Sequence, residues 1–178
     1  VNDGFDGMRV SAVITGTAIL LVPLVDAAIR LATPGWILAF VFLYGAPIWM
    51  LVYAALIWMA CGLFSSTSSF AEAPRTPRAI VLALLWVYLA GLTFFCWFMS
   101  DGGDADDWQS PVSLLLRVDG YNSSTPEYLN RAQELAVPAL LIGLAAVLAA
   151  MIGYGVVVWR QRRRDRAYLT AAGVEVQP

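Results

Sequence analysis

The sequence predicts an all-α integral membrane protein: a four-transmembrane-helix bundle, both termini cytoplasmic, with a helical outer segment between helices three and four. Three observations carry that reading. Of 178 residues, 60% are apolar, against about 45–50% in soluble domains even with glycine counted, and mean hydropathy is +0.69. The apolar residues gather into four long blocks, the pattern a bilayer selects. All 11 basic residues are arginine, and most crowd at one set of block ends, as the positive-inside bias requires.

The first block covers residues 10–32 and holds no charge before Asp26. The second covers 36–64, the third 79–99 and the fourth 135–159. A helix rises 1.5 Å per residue, so about 20 residues cross a hydrocarbon core of about 30 Å. Each block is long enough. The second is longer than needed, which predicts tilt, a kink or protrusion. Closed barrels also satisfy the backbone in lipid, but these blocks lack the alternation of barrel strands.

The connections differ. Thr33-Pro34-Gly35 reads as a tight outer turn, which makes helices one and two antiparallel neighbours. Residues 65–78 open with a serine-rich run and continue through Pro74-Arg75-Thr76-Pro77-Arg78, which reads as a mobile inner linker. Residues 100–134 form an acidic extracytoplasmic loop. Within it, Ser110-Pro111 reads as a cap plus first helical residue before Val112, Leu114, Leu115 and Leu116. Thr125-Pro126-Glu127 starts a helix that runs into the fourth block. Residues 160–178 read as a basic cytoplasmic tail, loose after Arg166.

Arginine placement sets the orientation. Arg9, Arg75, Arg78, Arg160, Arg162, Arg163, Arg164 and Arg166 fall inside, and Arg30, Arg117 and Arg131 outside. Arginine without lysine, with abundant Ala, Val and Leu, suits a GC-rich genome and so a bacterial cytoplasmic membrane. A rival reading takes Met8 to Ala27 as a secretory signal, which leaves three helices in the same orientation.

Much chemistry is excluded by composition. The chain has no histidine and no lysine. That removes imidazole metal sites, Ser-His and Cys-His nucleophile pairs, Schiff bases and P-loops. A net charge of −2 does not point to nucleic acid. Cys61 and Cys96 fall at opposite membrane faces, too far apart to bridge. No cofactor and no metal is called for. An acidic run, Asp101 to Asp107, invites a calcium reading, but it lacks the glycine and glutamate of an EF-hand loop, so a solvated loop is the plainer expectation. Asn122-Ser123-Ser124 is a formal glycosylation triplet only.

Asp26 is the foremost functional candidate, as the one acid within an apolar block. A carboxylate at mid-membrane costs about 2.5–3.5 kcal/mol on insertion scales. Arg30 lies one turn on, so the plain expectation is a local Asp26–Arg30 pair with Arg30 reaching toward the outer headgroups. The functional reading is a proton or cation site. Pro23, Pro47 and Pro138 are kink candidates, since each removes a backbone donor. Ala139, Gly143, Ala146, Ala149, Ala150 and Gly153 put small residues at helical spacing, for packing inside the bundle or against another protein. Trp36, Trp97 and Trp159 read as interfacial anchors. The deeper Trp49, Trp58, Trp86, Tyr44, Tyr53 and Tyr88 suit helix packing or a lipid pocket. Arg160, Arg162, Arg163, Arg164 and Arg166 form a membrane-surface basic patch that meets anionic lipid.

No motif identifies a family. The expected function is a non-enzymatic accessory or assembly subunit of a larger membrane complex. Its partners are the lipid bilayer and other membrane subunits or further copies of itself. The alternatives are a small oligomeric transporter or channel with Asp26 as coupling acid, and a lipid-handling protein.

Overall fold

The computed structural model describes residues 3–33, 35–102, 108–118, 120 and 124–171. Its elements are helical: α1 (Asp3–Arg30), α2 (Trp36–Phe64), α3 (Arg75–Phe98), α4 (Pro111–Leu116) and α5 (Glu127–Ala171). Four of them, α1, α2, α3 and α5, are long and apolar enough to cross a membrane. Among the described residues the sole β pairing is an isolated bridge between Asp101 and Gln109.

The prolines act unequally. Pro23 and Pro138 sit inside the continuous helices α1 and α5. Near Pro23, the Tyr53 hydroxyl donates to the Leu20 carbonyl at 2.8 Å, which reinforces a turn that lacks one amide donor. Pro47 follows a π-helical turn, Val41–Gly45, and Leu43, whose carbonyl it cannot serve, lies in that turn. The long second block therefore resolves into two α segments around one wide turn.

Helix α3 is the central element and packs on both α5 and α1, while α2 packs on α1. Gly91 and Gly143 let α3 and α5 approach closely. A Cβ on Gly91 would lie 3.1 Å from the Gly143 Cα, and one on Gly143 would lie 3.2 Å from the Tyr88 carbonyl oxygen. Ala146 and Ala150 are buried as well, and Gly153 faces Val81. The small-residue face of α5 is thus used largely within the chain; Ala149 alone of the set stays exposed.

The pairings also fix direction. Gly91 meets Ala139 and Gly143, and Val81 meets Gly153, so α3 and α5 are antiparallel. Thr93 meets Asp26 and Trp86 meets Thr15, so α1 and α3 are parallel. Leu20 meets Tyr53 and Gly16 meets Phe64, so α1 and α2 are antiparallel. The start of α1 and the end of α5 therefore share one end with Arg75, Arg78 and Arg160 to Arg166, here termed the basic end. Asp101 lies at the opposite, acidic end.

Two expectations need correction. The inner linker is docked, not free. Phe70 is 1% exposed; its ring lies 4.9 Å from that of Tyr154, and the Arg78 guanidinium sits 5.8 Å above it. Arg78 also donates to the Ala71 carbonyl at 2.7 Å, and the Ser68 hydroxyl donates to Gly62 at 2.7 Å. One aromatic among the serines supplies enough apolar area to hold the loop down. Beyond Arg166, α5 stays helical to Ala171 rather than loosening. Its Gln161 amide donates to Asp165 at 3.2 Å, one turn on. Residues 172–178 lie outside the described residues.

At the acidic end, α4 starts where Ser110-Pro111 predicts. Ser110 and Ser113 form a reciprocal capping box, the Ser110 amide donating to the Ser113 hydroxyl at 2.9 Å and the Ser113 amide to the Ser110 hydroxyl at 3.2 Å.

Candidate functional site

Two buried polar constellations lie toward the acidic end, and they divide Asp26 from Arg30. Asp26 is 2% exposed. Its carboxylate accepts a hydrogen bond from the Thr93 hydroxyl at 2.8 Å, across the α1–α3 contact. Arg30 is 4% exposed, and its guanidinium lies 3.3 Å from the Asp101 carboxylate and donates to the Met99 carbonyl. The expected local Asp26–Arg30 pair does not form, and Arg30 does not reach out to the surface. The i,i+4 spacing allows that pair, but residues 99–101 bring a carboxylate and a carbonyl to the same guanidinium. Among the described residues Asp26 has no ion-pair partner.

Asp101 is the hub of the second constellation. The plain expectation of a solvated loop fails here, since Asp101 is 2% exposed. One carboxylate oxygen accepts from the Ile37 amide at 3.0 Å, the other from Leu38 at 3.0 Å. The Gly102 amide adds a third bond at 3.0 Å. The Trp36 amide donates to the Gly102 carbonyl at 3.1 Å. The residue before α2 is Gly35, which has no side chain to cap the helix. A remote carboxylate therefore does that work, placing negative charge at the positive end of the helix dipole. Gly35 permits it: a Cβ there would fall 2.7 Å from the Gly102 amide nitrogen. Three amides and the Arg30 guanidinium thus engage the Asp101 carboxylate. Asp104, Asp106, Asp107 and Asn122 lie outside the described residues. Among the described residues no three metal-ligating side chains gather.

Thr93 connects Asp26 to the exterior. It lines an open lateral groove of about 540 Å³ together with Trp86, Phe94, Trp97, Phe98 and Val22. Asp26 lies behind Thr93 rather than on the groove wall. The Trp86 indole donates to the Thr15 hydroxyl at 3.1 Å. The other aromatics expected deep in the bundle do not converge here. Trp58 packs edge-on against Tyr154 at 5.0 Å, and Tyr44 and Trp49 are exposed on α2. Cys61 and Cys96 are both free thiols.

Compared with known protein families, curated proteins and solved structures, the chain matches none.

Sequence reasoning missed Thr93 altogether, and it named Asp101 without its role as cap of α2 and partner of Arg30. A threonine in an apolar helix carries no signal of its own. Gly35 did carry one: a helix start with no capping side chain needs an acceptor from elsewhere.

Proposed function

We propose that this chain is a non-catalytic subunit of a larger membrane assembly, with the basic end in the cytoplasm of a bacterial cell. The supporting observation is the first half of α2. Its start is held by Asp101, and Leu56, Met59, Ala60 and Leu63 bury its second half. Between these anchors Leu43 is 72% and Leu51 74% exposed, and Tyr44, Ile48 and Met50 also face outward. This stretch meets little of its own chain, so its apolar side is available to another helix. A photo-crosslinking residue placed at Leu43, Ile48 or Leu51 in native membranes is expected to give a discrete protein adduct. The same residue at Ile142, exposed on α5, serves as reference. Adducts to lipid alone, at every position, would remove the subunit reading.

A second reading is favoured by one specific feature. Among the described residues Asp26 is buried without a countercharge, and its one hydrogen-bond donor borders an aromatic groove. Aromatic faces suit an organic cation, and a carboxyl one threonine hydroxyl behind them supplies a counterion. In this reading the chain is a small oligomeric transporter with Asp26 as coupling acid. Proton-coupled uptake of tetraphenylphosphonium into proteoliposomes is then expected for the wild type and lost in Asp26→Asn. Absence of uptake by the wild type would discard this alternative.

A further inference from the structure

Near the basic end, residues of α3 and α5 line an apolar cleft of about 280 Å³. Its floor is shaped by Ala149 and Gly153, and Ile80 and Leu84 form the α3 wall. At its polar rim stand Arg160 and Arg164, one helical turn apart on the same face of α5. Neither makes a hydrogen bond or ion pair with a described residue. Their neighbours are engaged differently: Arg163 lies 4.0 Å over the Trp159 ring, and Gln161 binds Asp165. The five arginines of the segment are therefore not equivalent.

We propose that this cleft is a binding site for one anionic phospholipid, its phosphate held by Arg160 and Arg164 and one acyl chain lying over Ala149 and Gly153. Three features select that occupant. The cleft is lined mostly by apolar residues, and Ile80, Ala149 and Val156 on its walls are exposed, as a lipid-facing cleft requires. The two free guanidiniums stand only at its polar end, and their planar donors match phosphate oxygens. The volume admits part of a single chain, so the second chain stays in the bilayer. This proposal is independent of the subunit reading.

The test uses the full chain in mild detergent with mixed phosphatidylglycerol and phosphatidylcholine, read by native mass spectrometry. Wild type is expected to retain phosphatidylglycerol in preference to phosphatidylcholine. Arg160→Gln/Arg164→Gln is expected to weaken that retention about thirtyfold, or about fivefold per arginine. Arg162→Gln/Arg163→Gln removes the same charge away from the cleft and is expected to change it little. Ala149→Leu fills the floor without touching charge and is expected to weaken retention as well. Ala149, Arg160 and Arg164 are exposed, so these variants keep the fold, with helicity and elution volume as the check. Equal loss in the two arginine pairs would mean diffuse surface attraction and overturn the site. Undiminished retention in Arg160→Gln/Arg164→Gln or in Ala149→Leu would also overturn it.

Discussion

Arg30 had two carboxylates within reach of its chain segment and pairs with the one farther away in sequence. Asp101 is held in place by three amides, so little ordering is left when the guanidinium arrives. Removing one partner of a buried pair leaves the other charge stranded, which costs about 3–5 kcal/mol. Asp101→Ala also uncaps α2, so thermal unfolding in detergent should show a large loss of stability. Asp101→Asn keeps one acceptor oxygen and should lose less. For Asp26 the key neighbour is Thr93. Thr93→Val strips the carboxyl of its one described donor, at an expected cost of about 1–3 kcal/mol, whereas Asp26→Asn keeps the hydroxyl bond and should be milder. At this scale the sequence was half legible. A lone acid in an apolar run identifies Asp26 at once. Helical spacing, however, names only neighbours on the same helix, and the partners of both Asp26 and Arg30 arrive from α3 and its end. A third buried group is invisible in sequence: Gln133 is buried, and neither of its amide atoms has a hydrogen-bond partner among the described residues. Replacing an unsatisfied amide by an apolar group of similar size is stabilising, so Gln133→Leu is expected to raise the unfolding temperature.

Among the elements, the long blocks were the most legible part, because length and continuous apolarity decide a spanning helix without any knowledge of packing. The ends were less so. Thr125-Pro126-Glu127 marks the start of α5 correctly, but the apolar block stops at Trp159 while α5 continues to Ala171. Polar residues end an apolar block without ending a helix, and nothing between Arg160 and Ala171 is a helix breaker. The linker departs from its composition for a related reason. Composition averages over residues, while docking depends on one of them, Phe70. Phe70→Ala is expected to cost about 3–5 kcal/mol by the usual large-to-small measure. It should also open residues 65–74 to limited proteolysis while the helices remain protected. The α3–α5 contact is expected to be equally intolerant. Gly91→Leu drives a side chain into the Ala139 backbone and Gly143, which must separate the two helices, and loss of a monodisperse elution peak would report it.

On the scale of the molecule, the four long helices do not surround one another evenly. Helix α3 is central, α1 links it to α2, and α2 meets α5 mainly near the basic end, where Trp58 and Gly62 approach Tyr154. The alternating directions place the start of α1 and the end of α5 together. Single cysteines in a Cys61→Ala/Cys96→Ala background test the proposed orientation. Cysteine at Arg163 or Ser66 is expected to react with an impermeant maleimide only after the inner membrane is opened, and cysteine at Trp108 in intact spheroplasts. The reverse pattern would invert the molecule. The Asp101 clamp has a consequence for assembly. The amide groups of Ile37 and Leu38 wait for an acceptor 64 and 63 residues further along the chain. At a synthesis rate of about 5–20 residues per second, that acceptor follows about 3–13 s later. During that interval the first turn of α2 lacks the acceptor that caps it in the finished fold. The pairing of α1 with α2 is therefore provisional, locked only when the far end of α3 has been made and has delivered Asp101.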